Sequence, residues 1–153
     1  MRVVDIPGLG VLRLEHLVLD LNGTLSDRGE LIPGVTGRIG RLAGTLELHL
    51  LTADTLGTAA GLAARLGLSV TTVATGETKA AFVERLGPDR TVAIGNGRND
   101  EAMLRAARIG IAIVGPEGAA AGALRAADVV CRSVTDALDL LLDERLLIAT
   151  LRR

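Results

Sequence analysis

Leu17-Val18-Leu19-Asp20-Leu21-Asn22-Gly23-Thr24 is the stretch whose reading decides the fold. An apolar run that ends on a carboxylate and passes at once into an Asn-Gly step reads as a buried strand of a parallel sheet, stopped by a turn. In open α/β sheets, ligands bind just beyond the carboxyl ends of the strands. Asp20 therefore stands at the mouth of a crevice, and the question becomes what other chemistry the chain brings to the same edge.

Working outward, the pattern alternates between strand and helix. Residues 2–6 and 11–14, around Pro7-Gly8-Leu9-Gly10, predict a hairpin leading into the Asp20 strand, and Asp27-Arg28-Gly29 predicts a second, smaller one. Val35, Ile39 and Leu42 recur at helical spacing up to Gly44. A strand over 46–51 follows, then a helix marked by Leu56, Ala59, Ala60 and Ala63 that closes near Gly67, then a short β-branched strand over 69–73. Lys79, Phe82, Val83 and Leu86 form one helical stripe ended by Gly87-Pro88. Strands are predicted over 91–94, 109–114 and 128–131, helices over 101–107 and 117–126, and two helical pieces from Thr135. The alternation implies an α/β, three-layer, doubly wound parallel sheet with helices on both faces.

Composition bounds the function. A chain of 153 residues suits one domain, 1–153, with one sizeable core. Phe82 is the sole Phe, Tyr or Trp, so that core is built from Leu, Val, Ile and Ala. A net charge of −1 argues against nucleic acid or an anionic membrane surface as partner. No apolar run approaches the roughly 20 residues of a membrane span. Asp5 and Pro7-Gly8 come too early for a signal peptide. Cys131 is alone, which excludes an internal disulfide and makes a reducing cytoplasm the expected setting.

The rarest residues are the most informative. Lys79 is the only lysine in a chain whose other basic side chains are all arginine. The side-chain amides are limited to Asn22, Asn96 and Asn99, since glutamine is absent. Lysine is a compact point charge and arginine a planar fork, so keeping one lysine implies a task that arginine does not perform. Leu50-Leu51-Thr52-Ala53-Asp54 ends an apolar run with a hydroxyl, and Val92-Ala93-Ile94-Gly95-Asn96-Gly97-Arg98-Asn99-Asp100 ends another in a glycine-rich acidic loop. That loop is not a dinucleotide fingerprint. Asp100 holds the place of the third glycine, and a carboxylate there repels a pyrophosphate.

These four motifs, in this order, resemble the haloacid dehalogenase-like superfamily of aspartate-nucleophile phosphotransferases. Within it, residues 92–112 are most similar to the phosphorylation domain of P-type ATPases and to small soluble proteins like it. The resemblance covers roughly residues 17–142. It implies a Mg²⁺-dependent phosphatase or phosphotransferase in which Asp20 is the nucleophile and forms an aspartyl phosphate. It further implies that Thr52, with the backbone at Ala53, binds the phosphoryl oxygens, and that Lys79 neutralises nucleophile and phosphate. The expected metal set is Asp20, the carbonyl of Asn22, Asn96, Asp100 directly or through water, and further waters. Asn99 is expected to brace the loop, and Gly95 and Gly97 to turn the backbone sharply beside the ion. The intervals from Asp20 to Thr52 and from Thr52 to Lys79 are too short for the inserted caps or nucleotide domains of relatives, so the expectation is a bare catalytic core that self-associates.

Two departures bear on activity. Asn22 stands where the resemblance leads one to expect a general acid–base aspartate, and an amide cannot exchange a proton at neutral pH. Asn96 stands where the loop ordinarily carries a charged metal ligand. Two readings stay open: a slow enzyme acting on a small phosphorylated molecule, or a phosphate- and Mg²⁺-binding regulatory module. His16 and His49 read as packing or surface residues, and Asp54 as a cap for the helix after it.

Overall fold

The computed structural model describes residues 1–53, 57–73 and 75–153. The elements in chain order are β1 (Arg2–Ile6), β2 (Gly10–Leu14), β3 (His16–Asp20), β4 (Ser26–Asp27), β5 (Glu30–Leu31), α1 (Val35–Ala43), β6 (Glu47–Thr52), α2 (Thr58–Arg65), β7 (Val70–Thr72), α3 (Gly76–Leu86), β8 (Thr91–Gly95), α4 (Glu101–Ala106), β9 (Ile109–Ile113), α5 (Ala121–Ala126), β10 (Val129–Cys131), α6 (Val134–Leu142) and α7 (Glu144–Leu151). Single 3-10 turns precede β8 and α4. Among the described residues no helix is long and apolar enough to cross a membrane.

The central sheet has six parallel strands in the order β10-β9-β8-β3-β6-β7. The chain builds outward from β3 through β6 to β7, then crosses back over the sheet by way of α3 to add β8, β9 and β10 on the other side. β3 is thus the strand at which the winding reverses, and Asp20 ends it. In doubly wound sheets that reversal opens the crevice where ligands bind. β1 and β2 form the expected antiparallel hairpin, and β4 and β5 the smaller one.

Strand alternation sends side chains to two separate layers. Leu17 and Leu19 of β3, Val92 and Ile94 of β8, and Ile109, Ile111 and Ile113 of β9 join a large aliphatic core with α1, α2, α6, α7 and the N-terminal hairpin. Val18, Ala93 and Ala112 point the other way, into a smaller core with Val83 of α3, Met103 and Leu104 of α4, and Ala123 of α5. On the sheet side this thinner layer is lined by small residues, Ala93, Gly110 and Ala112. A Cβ placed on Gly110 of β9 would collide with the Leu104 carbonyl.

Two expectations change. The helix read over 117–126 begins at Ala121. Gly118 adopts φ +76, outside helical space, and pairs with Gly115, while the Ala120 N–H donates to the carbonyl of Asn96. A run rich in Glu and Ala reads as helix locally, and long-range bonding to the acidic loop overrides it. Second, Gly95 and Gly97 do not turn the backbone through positive φ. Gly95 supplies space instead, since a Cβ there would lie 2.7 Å from the Asp100 Cβ. Leu56 and Asp54, read respectively as helix-face and helix-capping residues, lie outside the described residues.

Candidate active site

Asp20 and Thr52 end adjacent parallel strands, with Asp20 in register with Leu51, so both residues lie at the same edge of the sheet. On the other flank β8 ends at Gly95 and delivers Asn96 and the turn 98–100 to the same edge. α3 reaches the site from above the thin face. Thr75 caps it, accepting the Thr78 N–H while the Thr78 hydroxyl accepts the Thr75 N–H. This fixes the first turn, and Lys79 projects from it into the sheet.

Lys79 is fully buried, as is Asp100, and Asp20 is nearly so. The Lys79 ammonium donates to Asp20 Oδ1 at 2.6 Å and to Asp100 Oδ1 at 2.7 Å. Charge-assisted bonds of this length compensate a cation that burial would otherwise strip of its water. Burial pulls the Lys79 amine down, yet the two carboxylates more than offset it and hold it above its ordinary value. Asp20 is raised to about 6, first by burial and then by repulsion from Asp100, with Lys79 pulling the other way.

Asp100 is committed on both oxygens. Its Oδ2 accepts the N–H of Asn96 at 3.0 Å and of Gly97 at 2.9 Å, so the bracing expected of Asn99 comes from Asp100. Asn99 lies in the wall of an open cavity of about 680 Å³ beside the site, with Thr75, Gly76 and Arg98. Asn22 donates its amide to the Thr52 hydroxyl at 3.1 Å, which joins the two strand ends across the mouth. Ala53, exposed, follows directly.

Thr24 is the residue that sequence reading missed. Its buried hydroxyl lies 3.2 Å from Asp20 Oδ2 and 3.3 Å from Asn96 Oδ1. The Asn96 amide nitrogen turns away and donates to the Gly118 carbonyl at 3.1 Å. An Asp20 oxygen and the Asn96 carbonyl oxygen therefore converge on one small region. An oxygen-only donor set of this kind fits a hard divalent cation such as Mg²⁺. Thr24 is recognisable afterwards as the hydroxyl four residues past Asp20, but threonine is common in turns and nothing local singles it out.

A profile of the haloacid dehalogenase-like hydrolases matches residues 74–137. An uncharacterised protein of Methanocaldococcus jannaschii is 48% identical over 63 residues, covering 41% of this chain and 68% of that protein. Among solved structures, the 3-deoxy-D-manno-octulosonate 8-phosphate phosphatase of Moraxella catarrhalis, in complex with magnesium, phosphate and its sugar acid, superposes with a TM-score of 0.66 at 20% identity, covering 91% of this chain and 94% of that one. The cobalt-bound deoxy-D-mannose-octulosonate 8-phosphate phosphatase of Haemophilus influenzae gives 0.69 at 16% identity, with 89% of each chain covered. A zinc-transporting PIB-type ATPase in its E2.Pi state gives 0.66 at 27% identity, over 78% of this chain but only 20% of the pump. With Asp20, Thr52, Lys79 and the Asp100 loop gathered at one sheet edge, and with these likenesses, the chain belongs to the haloacid dehalogenase-like hydrolase family.

Proposed function

We propose that residues 1–153 form one catalytic unit, a Mg²⁺-dependent phosphatase or phosphotransferase that acts through a phosphorylated Asp20 on a small phosphorylated molecule. The observation that carries this reading is the buried Asp20–Lys79–Asp100 triad at the reversal point of the sheet. Asp20 attacks phosphorus; the P–O bond to the leaving group breaks, and the leaving oxygen departs with the electron pair. Lys79 keeps Asp20 ionised and offsets the charge of the incoming phosphoryl oxygens, while Thr52 and the backbone at Ala53 donate to those oxygens. Asn99, in the loop after β8, contacts the phosphate. Mg²⁺ held by Asp20, the Asn22 carbonyl, Asn96 and, through water, Asp100 would neutralise charge on the transferred group. Water then attacks the acyl phosphate and releases phosphate, regenerating Asp20.

Asn22 sets the pace. Attack by ionised Asp20 requires no base, but the water of the second step must lose a proton, and Asn22 cannot take it. The phosphoenzyme is accordingly long-lived, and turnover is slow. The open mouth is completed by a second copy of the chain, with Val3 and Val11 on the outer face of the N-terminal hairpin as the contact. A cytoplasmic setting agrees with the lone, buried Cys131 thiol.

The test is to incubate the protein with a small acyl phosphate and Mg²⁺, quench in acid and locate the adduct by mass spectrometry. One phosphoryl group on Asp20, absent from Asp20→Asn, is the expected result. An adduct elsewhere removes Asp20 from the mechanism; no adduct, with phosphate still bound in a Mg²⁺-dependent way, identifies a binding module.

A further inference from the structure

At the opposite end of the same strands lies a cluster that the reaction does not use. His16 begins β3 and is in register with Glu47, the first residue of β6. His49 lies two residues beyond Glu47 and so projects from the same face. The His16 Nδ1 and His49 Nε2 atoms face each other at 3.2 Å. Glu47 reaches over both, with Oε2 at 3.5 Å from His16 Nδ1 and Oε1 at 3.8 Å from His49 Nε2. One ligand atom from each of the three residues falls within 4.8 Å of the others.

We propose that His16, Glu47 and His49 bind a zinc-class divalent transition ion at the N-terminal end of the sheet. Two imidazole nitrogens about 2.0–2.1 Å from a tetrahedral zinc stand about 3.3 Å apart, close to the separation seen here. Imidazole and carboxylate together suit zinc better than magnesium. The histidine side chains are 12% and 14% exposed, held in place by packing, and the His49 ring meets the edge of Phe82 on α3 at 5.4 Å. Glu47 is 69% exposed, which leaves an entry path and room for a water as fourth ligand. Behind His16, its other ring nitrogen lies 3.9 Å from a Glu15 carboxylate oxygen. That is the side on which ligating histidines ordinarily meet a carboxylate. Bound ion would tie β3 to β6 at the ends remote from Asp20 and Thr52.

Cobalt(II) is the probe, because four-coordinate cobalt absorbs visible light intensely and octahedral cobalt weakly. Titrated in excess Mg²⁺, the protein is expected to take up one equivalent with intense bands that zinc abolishes. Asp20→Asn keeps the bands; His16→Ala and His49→Ala lose them. Glu47→Gln, altering a mostly exposed side chain, weakens binding at least about tenfold. Wild-type protein without intense bands, or bands that persist in His49→Ala, overturns the proposal. If the histidine variants fail to fold by circular dichroism, Glu47→Gln decides, and unchanged cobalt affinity there overturns it.

Discussion

On one face of the sheet Leu17, Leu19, Ile94 and Ile111 meet α1 and α6 through a deep aliphatic layer; on the other Val18, Ala93 and Ala112 meet Val83 of α3 and Met103 and Leu104 of α4 in a smaller, thinner cluster. The deep layer contains most of the buried aliphatic surface and so most of the hydrophobic stabilisation. The thin layer brings α3 close enough for Lys79 to span from helix to strand end and touch two carboxylates. Stability and chemistry are thus assigned to opposite sides of one sheet. Substitutions on the two sides are expected to separate accordingly.

The largest effect is expected at the strand ends that the thin layer brings α3 to. Asn22→Asp supplies a base at nearly constant size and should speed dephosphorylation of the phosphoenzyme by about 10²–10⁴-fold, the usual range for positioned acid–base catalysis. Single-turnover decay of labelled protein measures it, and an unchanged rate would mean that another group serves as base. Next, Leu17→Ala in the deep layer should cost about 2–5 kcal/mol of stability by leaving a cavity. Gly110→Ala in the thin layer should cost about 1–3 kcal/mol for the opposite reason, overpacking against the Leu104 carbonyl. Urea unfolding measures both. If Gly110→Ala is neutral, the thin face is not closely packed and the contrast fails.

The pH dependence sharpens the comparison further. Asp20 is raised to about 6 in the folded, metal-free protein against 3.8 for an ordinary aspartate. Between these values the folded chain holds a proton that the unfolded chain has released, so this group's contribution to stability falls as pH rises from about 4 to about 6. At 1.36 kcal/mol per unit the loss is roughly 3 kcal/mol at most. Asp20→Asn should therefore gain on the wild type across that window in urea titrations without metal, and parallel curves would contradict the assignment. The smallest effect is at the proposed metal site. Asn96→Asp replaces a neutral oxygen facing Thr24 with a charged one and should lower the half-saturating Mg²⁺ concentration about tenfold, about 1.4 kcal/mol, by calorimetry.

Much of this was legible beforehand. Buried parallel strands are near-continuous apolar runs, so β3, β6, β8 and β9 announce themselves, and Asp20, Thr52 and the acidic loop follow because they end those runs. Lys79 stood out by being the sole lysine. What could not be read was the partnership between distant residues of ordinary type. Nothing local in Thr24 says that its hydroxyl will sit between Asp20 and Asn96, 72 positions on. The Glu-Leu-His spacing of Glu47 to His49 was visible, but the register that adds His16 is a property of the assembled sheet. The start of α5 is hidden from the sequence for the same reason: the Ala120 N–H is claimed by a loop far away in sequence.

The burial of Lys79 makes the molecule its own reporter of opening. The chain carries one lysine ε-amine, and it has no contact with solvent. An acylating reagent applied to the native protein reaches it only in molecules whose α3 has lifted from the sheet, and the acyl group then prevents the ion pairs from re-forming. The label on Lys79, read by peptide mass, counts how many molecules have opened this end of the sheet since the reagent was added. No engineered tag or probe is required.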